Sequence, residues 1–148
     1  MRDDVLYFDT SYLAMLYLED PGFQHVRDLA SPLRQVVSSW HAPAELISAL
    51  HRAYRERRLG KAAFVAVLDQ MDTDCAAGLF HWIKPDDKAM RRLMQVYREA
   101  NDRVYLRAAD AIHLATASEA GFRAVYSSDN RLLEAATLFG LQGRNVLK

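Results

Sequence analysis

The chain has 148 residues and a mass of 16.8 kDa, 51% of them apolar and 26% charged. That suits one folded domain over residues 1–148 and excludes disorder or a collagen-like repeat. Basic and acidic residues balance at 19 each, so no overall field points to nucleic acid, and a single cysteine, Cys75, excludes a disulfide framework.

No run free of Asp, Glu, Lys and Arg exceeds ten residues, too short for a membrane span. Met1-Arg2-Asp3-Asp4 carries acids where a signal peptide carries only positive charge. With the lone cysteine, the expectation is a cytoplasmic protein.

In chain order, residues 5–8 form a short apolar run read as a buried strand, and residues 11–18 turn helical, with Leu13, Leu16 and Tyr17 at helical spacing. Pro21 opens a second helix through Leu29. Residues 35–39 are a second strand, and Pro43 starts a helix that Gly60 breaks. Phe64, Val67, Leu68 and Met71 continue as a further helix to about Gly78. Residues 79–83 are a third strand, Met90 to Tyr97 a helix, and residues 108–120 another, ended by Gly121. A fourth strand covers 123–127, a helix runs from Asp129 to about Phe139, and Val146 with Leu147 form a last edge strand. Short strands alternating with helices, and no Asn-Gly hairpin, predict an α/β fold with a parallel sheet.

Ligands in such folds bind beyond the carboxyl ends of the strands. Asp9 follows the first strand, Glu45 opens the helix after the second, Asp110 lies in the first turn of the 108–120 helix, and Asp129 follows the fourth strand. Helix capping alone accounts for an Asp at a strand-to-helix junction. It accounts less well for Glu45 and Asp110, whose neighbours are small or apolar. Four carboxylates about 5 Å apart repel by about 3 kcal/mol per pair at an effective dielectric of 20, which raises the pKa of each. No lysine or histidine has an evident claim to the space between them, so a divalent cation is expected, and all-oxygen donors select Mg²⁺ or Mn²⁺.

Other chemistries fit less well. The glycines form neither a dinucleotide nor a P-loop pattern, and His41 with Glu45 do not make a His-Glu-x-x-His zinc motif. His113, one turn after Asp110, reads as a packed histidine rather than a ligand. A receiver domain needs its acid pair after the first strand, whereas Asp3-Asp4 precede it; Ser11 and Asp129 lack a matching histidine for a hydrolase triad.

The segments Leu6-Tyr-Phe-Asp-Thr-Ser, Ala44-Glu-Leu-Ile, Ala109-Asp-Ala-Ile-His-Leu-Ala and Tyr126-Ser-Ser-Asp-Asn-Arg, in this order, resemble the PIN-domain nucleases, and specifically the VapC-type toxins of toxin–antitoxin pairs. The resemblance runs from about residue 4 to 146. It implies about five parallel strands sandwiched by helices, a homodimer, and hydrolysis of RNA with Mg²⁺ or Mn²⁺. It also implies a small antitoxin partner. By the same resemblance Asp9, Glu45, Asp110 and Asp129 are the metal and catalytic residues, with Ser11 the polar companion of Asp9. Arg52 and Arg55, in a basic stretch after Glu45, are candidates to track RNA phosphates. Two alternatives stand beside this reading: a PIN nuclease of RNA processing without an antitoxin, and a non-catalytic metal- or RNA-binding module.

Overall fold

In the computed structural model, which describes residues 4–147, every strand pairing is parallel. The elements run β1 (Val5–Tyr7), α1 (Thr10–Met15), α2 (Phe23–Ala30), β2 (Gln35–Ser39), α3 (Ala42–Arg55), α4 (Lys61–Ala76), β3 (Phe80–Ile83), α5 (Asp87–Glu99) and α6 (Ala108–Glu119). After α6 come β4 (Ala124–Tyr126), α7 (Asn130–Ala135), a 3-10 turn (Ala136–Phe139) and β5 (Gln142–Arg144). One set of strands is ordered β1-β2-β3 and another pairs β4 with β5. The two join through a bridge between Phe8 and Tyr126 and the Asp9 amide, which donates to the Tyr126 carbonyl at 3.0 Å. The spatial order is therefore β3-β2-β1-β4-β5, the parallel sheet expected from the strand–helix alternation. β1 is the strand from which the chain order departs in both directions, and the crevice of such a sheet opens at its carboxyl end.

Alternation along the strands sorts the core into two layers. Phe8, Val36 and Tyr126 join Leu13, Leu46, Leu50 and Phe64 in one cluster. Their neighbours Tyr7, Val37 and Val125 join Leu114, Leu132 and Phe139 in the other. On α3 the buried residues Ala42, Leu46, Leu50 and Ala53 recur at helical spacing, and each buried leucine contributes about 2 kcal/mol. On α6 half of the buried residues are alanine (Ala111, Ala115, Ala117), so the helix lies close to the sheet and brings His113 against Tyr7 of β1. Toward the amino ends the β1–β4 seam opens into a cavity of about 550 Å³ lined in part by Val5, Leu6, Phe122, Ala124 and Arg144.

Several expected boundaries move. Pro21 does not open α2; the helix starts at Phe23 behind Gly22, whose φ of 92° a side chain would disfavour. The helix expected to reach Phe139 leaves α geometry at Ala135 and ends as the 3-10 turn. The last strand is the polar Gln142–Arg144, not Val146 and Leu147. Gly143 permits that strand, since a Cβ there would stand 2.7 Å from the Leu133 carbonyl oxygen. Val146 and Leu147 lie in a turn instead, and the Val146 amide donates to the Tyr12 hydroxyl at 2.7 Å. The readings placed on Met1 to Asp3 lie outside the described residues. No helix among the described residues is long and apolar enough to cross a membrane.

Candidate functional site

Asp9 leaves β1 and caps α1, its Oδ1 accepting the Tyr12 amide at 3.2 Å. The Ser11 hydroxyl donates to the same oxygen at 2.6 Å, and Ser127, at the end of β4, donates to Oδ2 at 2.6 Å. Both carboxylate oxygens are thus held by neutral donors in a buried position. Burial pushes the Asp9 pKa up; nearby His113 and the hydroxyl and amide donors pull the other way without cancelling it. Ser127 also accepts the Asp129 amide at 2.9 Å, and Ser11 accepts the Ser128 amide at 2.9 Å, so two serines lace the ends of β1 and β4 together.

Glu45 has the opposite surroundings. Its Oε1 accepts from Thr10 Oγ1 at 2.7 Å, from His113 Nε2 at 3.0 Å and from His41 Nε2 at 3.2 Å. The Tyr7 hydroxyl stands 2.8 Å from His113 Nδ1; donating there, it leaves the ring proton on Nε2 to face the carboxylate, a tautomer assigned from the network. His41 Nε2 is also 3.2 Å from the Ala109 carbonyl. Burial acts to raise the Glu45 pKa, but the bonds from His113, His41 and Thr10 outweigh it and hold this carboxyl well below the usual range.

Asp110 and Asp129 share a cation. Arg107 immediately precedes α6 in extended backbone; its Nε lies 3.1 Å from Asp110 Oδ2 and its Nη2 2.8 Å from Asp129 Oδ2. Burial raises the Asp110 pKa, Arg107 draws it back, and Asp129 adds to the rise. Asp129 also caps α7, accepting the Arg131 and Leu132 amides on Oδ1.

The four acids therefore reach one edge of the sheet, but not as a bare cluster. Glu45 connects to the Asp9 segment through Thr10 and to the Asp110 helix through His113, and Asp110 connects to Asp129 through Arg107. Among the described residues, three ligand-type side chains do have donor atoms within 4.8 Å of one another, and they are His41, Glu45 and His113. The expectation that no lysine or histidine claims this space is corrected for histidine, since His41 and His113 both reach Glu45, and Arg107 enters it as well. Arg107, three residues before Asp110, and His41, four before Glu45, sit where helix spacing brings their side chains onto their acids. Thr10, Ser127 and Tyr7 were missed as well; only Thr10, beside Asp9, had a local signal. His113 is packed, as expected, and also touches Glu45.

Arg52 and Arg55 lie in the last turn of α3. Arg52 is two turns along the Glu45 face, roughly 10 Å down the axis, and pairs with Glu56 at 3.2 Å.

A hard divalent cation fits this donor set. Asp9 is a nearly inaccessible carboxylate at the switch point of the sheet, and among the described residues no lysine or arginine pairs with it.

A family model, that of the PIN domain, matches residues 6–138. Among solved structures, VapC20 of Mycobacterium tuberculosis, described as a sarcin-ricin loop cleaving toxin, superposes with a TM-score of 0.65 at 21% identity, over 88% of this chain and 94% of that one. A chain of VapBC2 from Rickettsia felis, in a complex bound to a fragment of its promoter DNA, superposes with a TM-score of 0.67 at 13% identity, over 95% and 98%. No curated protein matches significantly by sequence.

The opposed environments of Asp9 and Glu45 give opposite pH signatures. With its pKa raised by burial, the folded state holds the Asp9 proton more firmly than the unfolded chain, so stability falls as pH rises from the ordinary carboxylate range through the raised value. With its pKa lowered, Glu45 contributes stability above the ordinary value that is lost as pH falls through the lowered one. In EDTA at pH 8, Asp9→Asn is expected to be more stable than wild type and less pH-dependent. Glu45→Gln should be less stable by about 1 kcal/mol, a modest figure because its side chain is one-third exposed. Urea unfolding between pH 4.5 and 8 checks this; shifts of the same sign in both variants would contradict it.

Proposed function

The chain belongs to the PIN-domain family, and from that premise we propose that it is a metal-dependent endoribonuclease of the VapC toxin kind, hydrolysing RNA phosphodiester bonds at the carboxyl edge of its sheet. The observation that carries this reading is the buried Asp9 carboxylate at the β1–β4 junction, held only by neutral donors, with Glu45 and Asp110 brought to the same edge. Asp9, Glu45 and Asp110 would hold Mg²⁺ or Mn²⁺, with Asp129 beside them. Such an ion, when bound, acidifies a water and offsets the charge that builds on the phosphate and the leaving oxygen.

The chain's own residues prepare that chemistry. Ser11 and Ser127 fix both oxygens of Asp9. Thr10, His41 and His113 orient Glu45 and keep it ionised across the neutral range. Arg107 bridges Asp110 and Asp129, offsetting one of their two charges; with an ion in its place, its guanidinium would be free to face a phosphate. Arg52, on the Glu45 face of α3, and Arg55 would follow the RNA backbone away from the cut.

Ribonuclease activity is expected to require Mg²⁺ or Mn²⁺ and to vanish in excess EDTA; full activity without metal, or rescue by zinc alone, would overturn the proposal. Asp9→Asn and Asp110→Asn should each lower the rate by a factor of about 10² or more, while the exposed Asp28→Asn leaves it unchanged.

RNA binding should weaken as salt rises. Replacing Arg52 and Arg55 together with alanine should make the log–log slope shallower by about 1–2. An unchanged slope would remove these two arginines from the interface.

The toxin reading carries partners: a second copy of the chain, and a small antitoxin whose Arg or Lys pairs with the carboxylates in place of the ion. Its setting would be the cytoplasm. Expression of the protein alone should arrest growth, and co-expression of an adjacent small gene should relieve the arrest. Harmless expression of active protein would favour an RNA-processing nuclease without an antitoxin.

A further inference from the structure

The three side chains that come closest to a ready coordination set are not the aspartates. His41 and Glu45 stand one turn apart at the start of α3, His113 enters from α6, and the Nε2 atoms of both rings lie at 3.2 and 3.0 Å from the same oxygen, Glu45 Oε1. All three donor atoms fall within 4.8 Å of one another. Ligands of a tetrahedral ion with bonds of about 2.0–2.1 Å stand roughly 3.3 Å apart, so the histidine–carboxylate separations already match. Two imidazoles and one carboxylate are a donor set for a borderline transition ion and a poor one for Mg²⁺, which takes oxygen.

We propose that His41, Glu45 and His113 form a transition-ion site, Zn²⁺ in the first instance, that overlaps the oxygen site of Asp9 and Asp110 at Glu45. The surroundings support ligation without a charge change on either ring. For His113 to offer its Nε2 lone pair, its proton moves to Nδ1 and is donated to the Tyr7 oxygen 2.8 Å away, an outer contact of the kind that orients metal-binding histidines. Ser38, whose hydroxyl is buried beside Tyr7, is placed to accept a hydrogen bond from the Tyr7 hydroxyl when it turns. For His41 the proton also moves to Nδ1; this gives up the Nε2 contact with the Ala109 carbonyl and leaves a buried N–H with no partner among the described residues, a cost that the bond to the ion must offset. The His41 and Glu45 side chains keep 22% and 33% of their exposure, which leaves the remaining coordination position open to water.

If the nuclease reading also holds, an ion here withdraws Glu45 from the catalytic oxygen set, and Zn²⁺ inhibits the Mg²⁺-supported reaction. The binding claim does not depend on that reading.

The test is titration of the metal-stripped full chain with Co²⁺, a spectroscopic substitute for Zn²⁺, followed by back-titration with Zn²⁺. The expected result is one equivalent of Co²⁺ with visible d–d bands, displaced by Zn²⁺. His41→Ala, at the rim of the fold, should weaken binding at least tenfold, and His113→Gln likewise. Cys75→Ser and His81→Ala should leave it unchanged. If His113→Gln fails to fold, His41→Ala decides alone. Absence of the bands in wild type, or bands unaltered in His41→Ala, would overturn the proposal. Binding with these properties in a protein that cleaves no RNA under any metal would keep the site and remove the nuclease.

Discussion

Two successive backbone donors at the end of β1 face opposite neighbours: the Phe8 amide reaches Val37 of β2 at 2.9 Å, and the Asp9 amide reaches Tyr126 of β4 at 3.0 Å. The second bond and the Phe8–Tyr126 bridge close a seam that elsewhere gapes into a cavity. Everything at the carboxyl edge depends on this junction. It sets Ser127 over the Asp9 carboxylate, brings Asp129 to the start of α7 beside the start of α6, and leaves α3 to supply Glu45 from the other flank. Asp9 thus has two duties, one in its main chain and one in its side chain, and both are met within a single residue of the strand's end.

Repulsion among the acids of the edge is eased by local donors and one cation, though not removed. Glu45 is stabilised as an anion by three donors, Asp110 and Asp129 share a guanidinium, and only Asp9 sits buried with hydroxyls and an amide. A buried carboxylate without a counter-charge is costly, and that cost falls on Asp9 and, despite Arg107, on Asp110, whereas Glu45 escapes it. The main cause of the raised Asp9 pKa is desolvation, not the neighbouring acids.

Much of this was legible before the fold was known. The runs 5–8, 35–39 and 79–83 read as strands because apolar and β-branched residues cluster between helix signals, and the acids were found by their position just beyond strand ends. What escaped was of two kinds. β5 escaped because Gln142-Gly-Arg144 carries no apolar signal; it is a strand because Gly143 can pass close to Leu133, a constraint from tertiary contact. The basic side chains escaped for a different reason. Arg107 and His41 stand in plain helical spacing to their acids, yet whether a side chain turns inward or to solvent is decided by packing that spacing does not contain. Tyr7 and Ser127 reach the site from strands more than a hundred residues apart in the chain, a proximity only the sheet order creates.

The guanidinium of Arg107 makes recognition at this edge an exchange rather than an addition. An incoming cation, whether an ion or the arginine of another protein, meets carboxylates already satisfied at 2.8 and 3.1 Å, so its affinity is the difference between the bond it makes and the one it displaces. In the ion-free protein this contact reduces, without removing, the repulsion between Asp110 and Asp129. The same contact ties the first turn of α6 to the start of α7, so releasing Arg107 unlinks two helices at the moment of binding. Occupancy and local rigidity are thus two readings of one side chain's position.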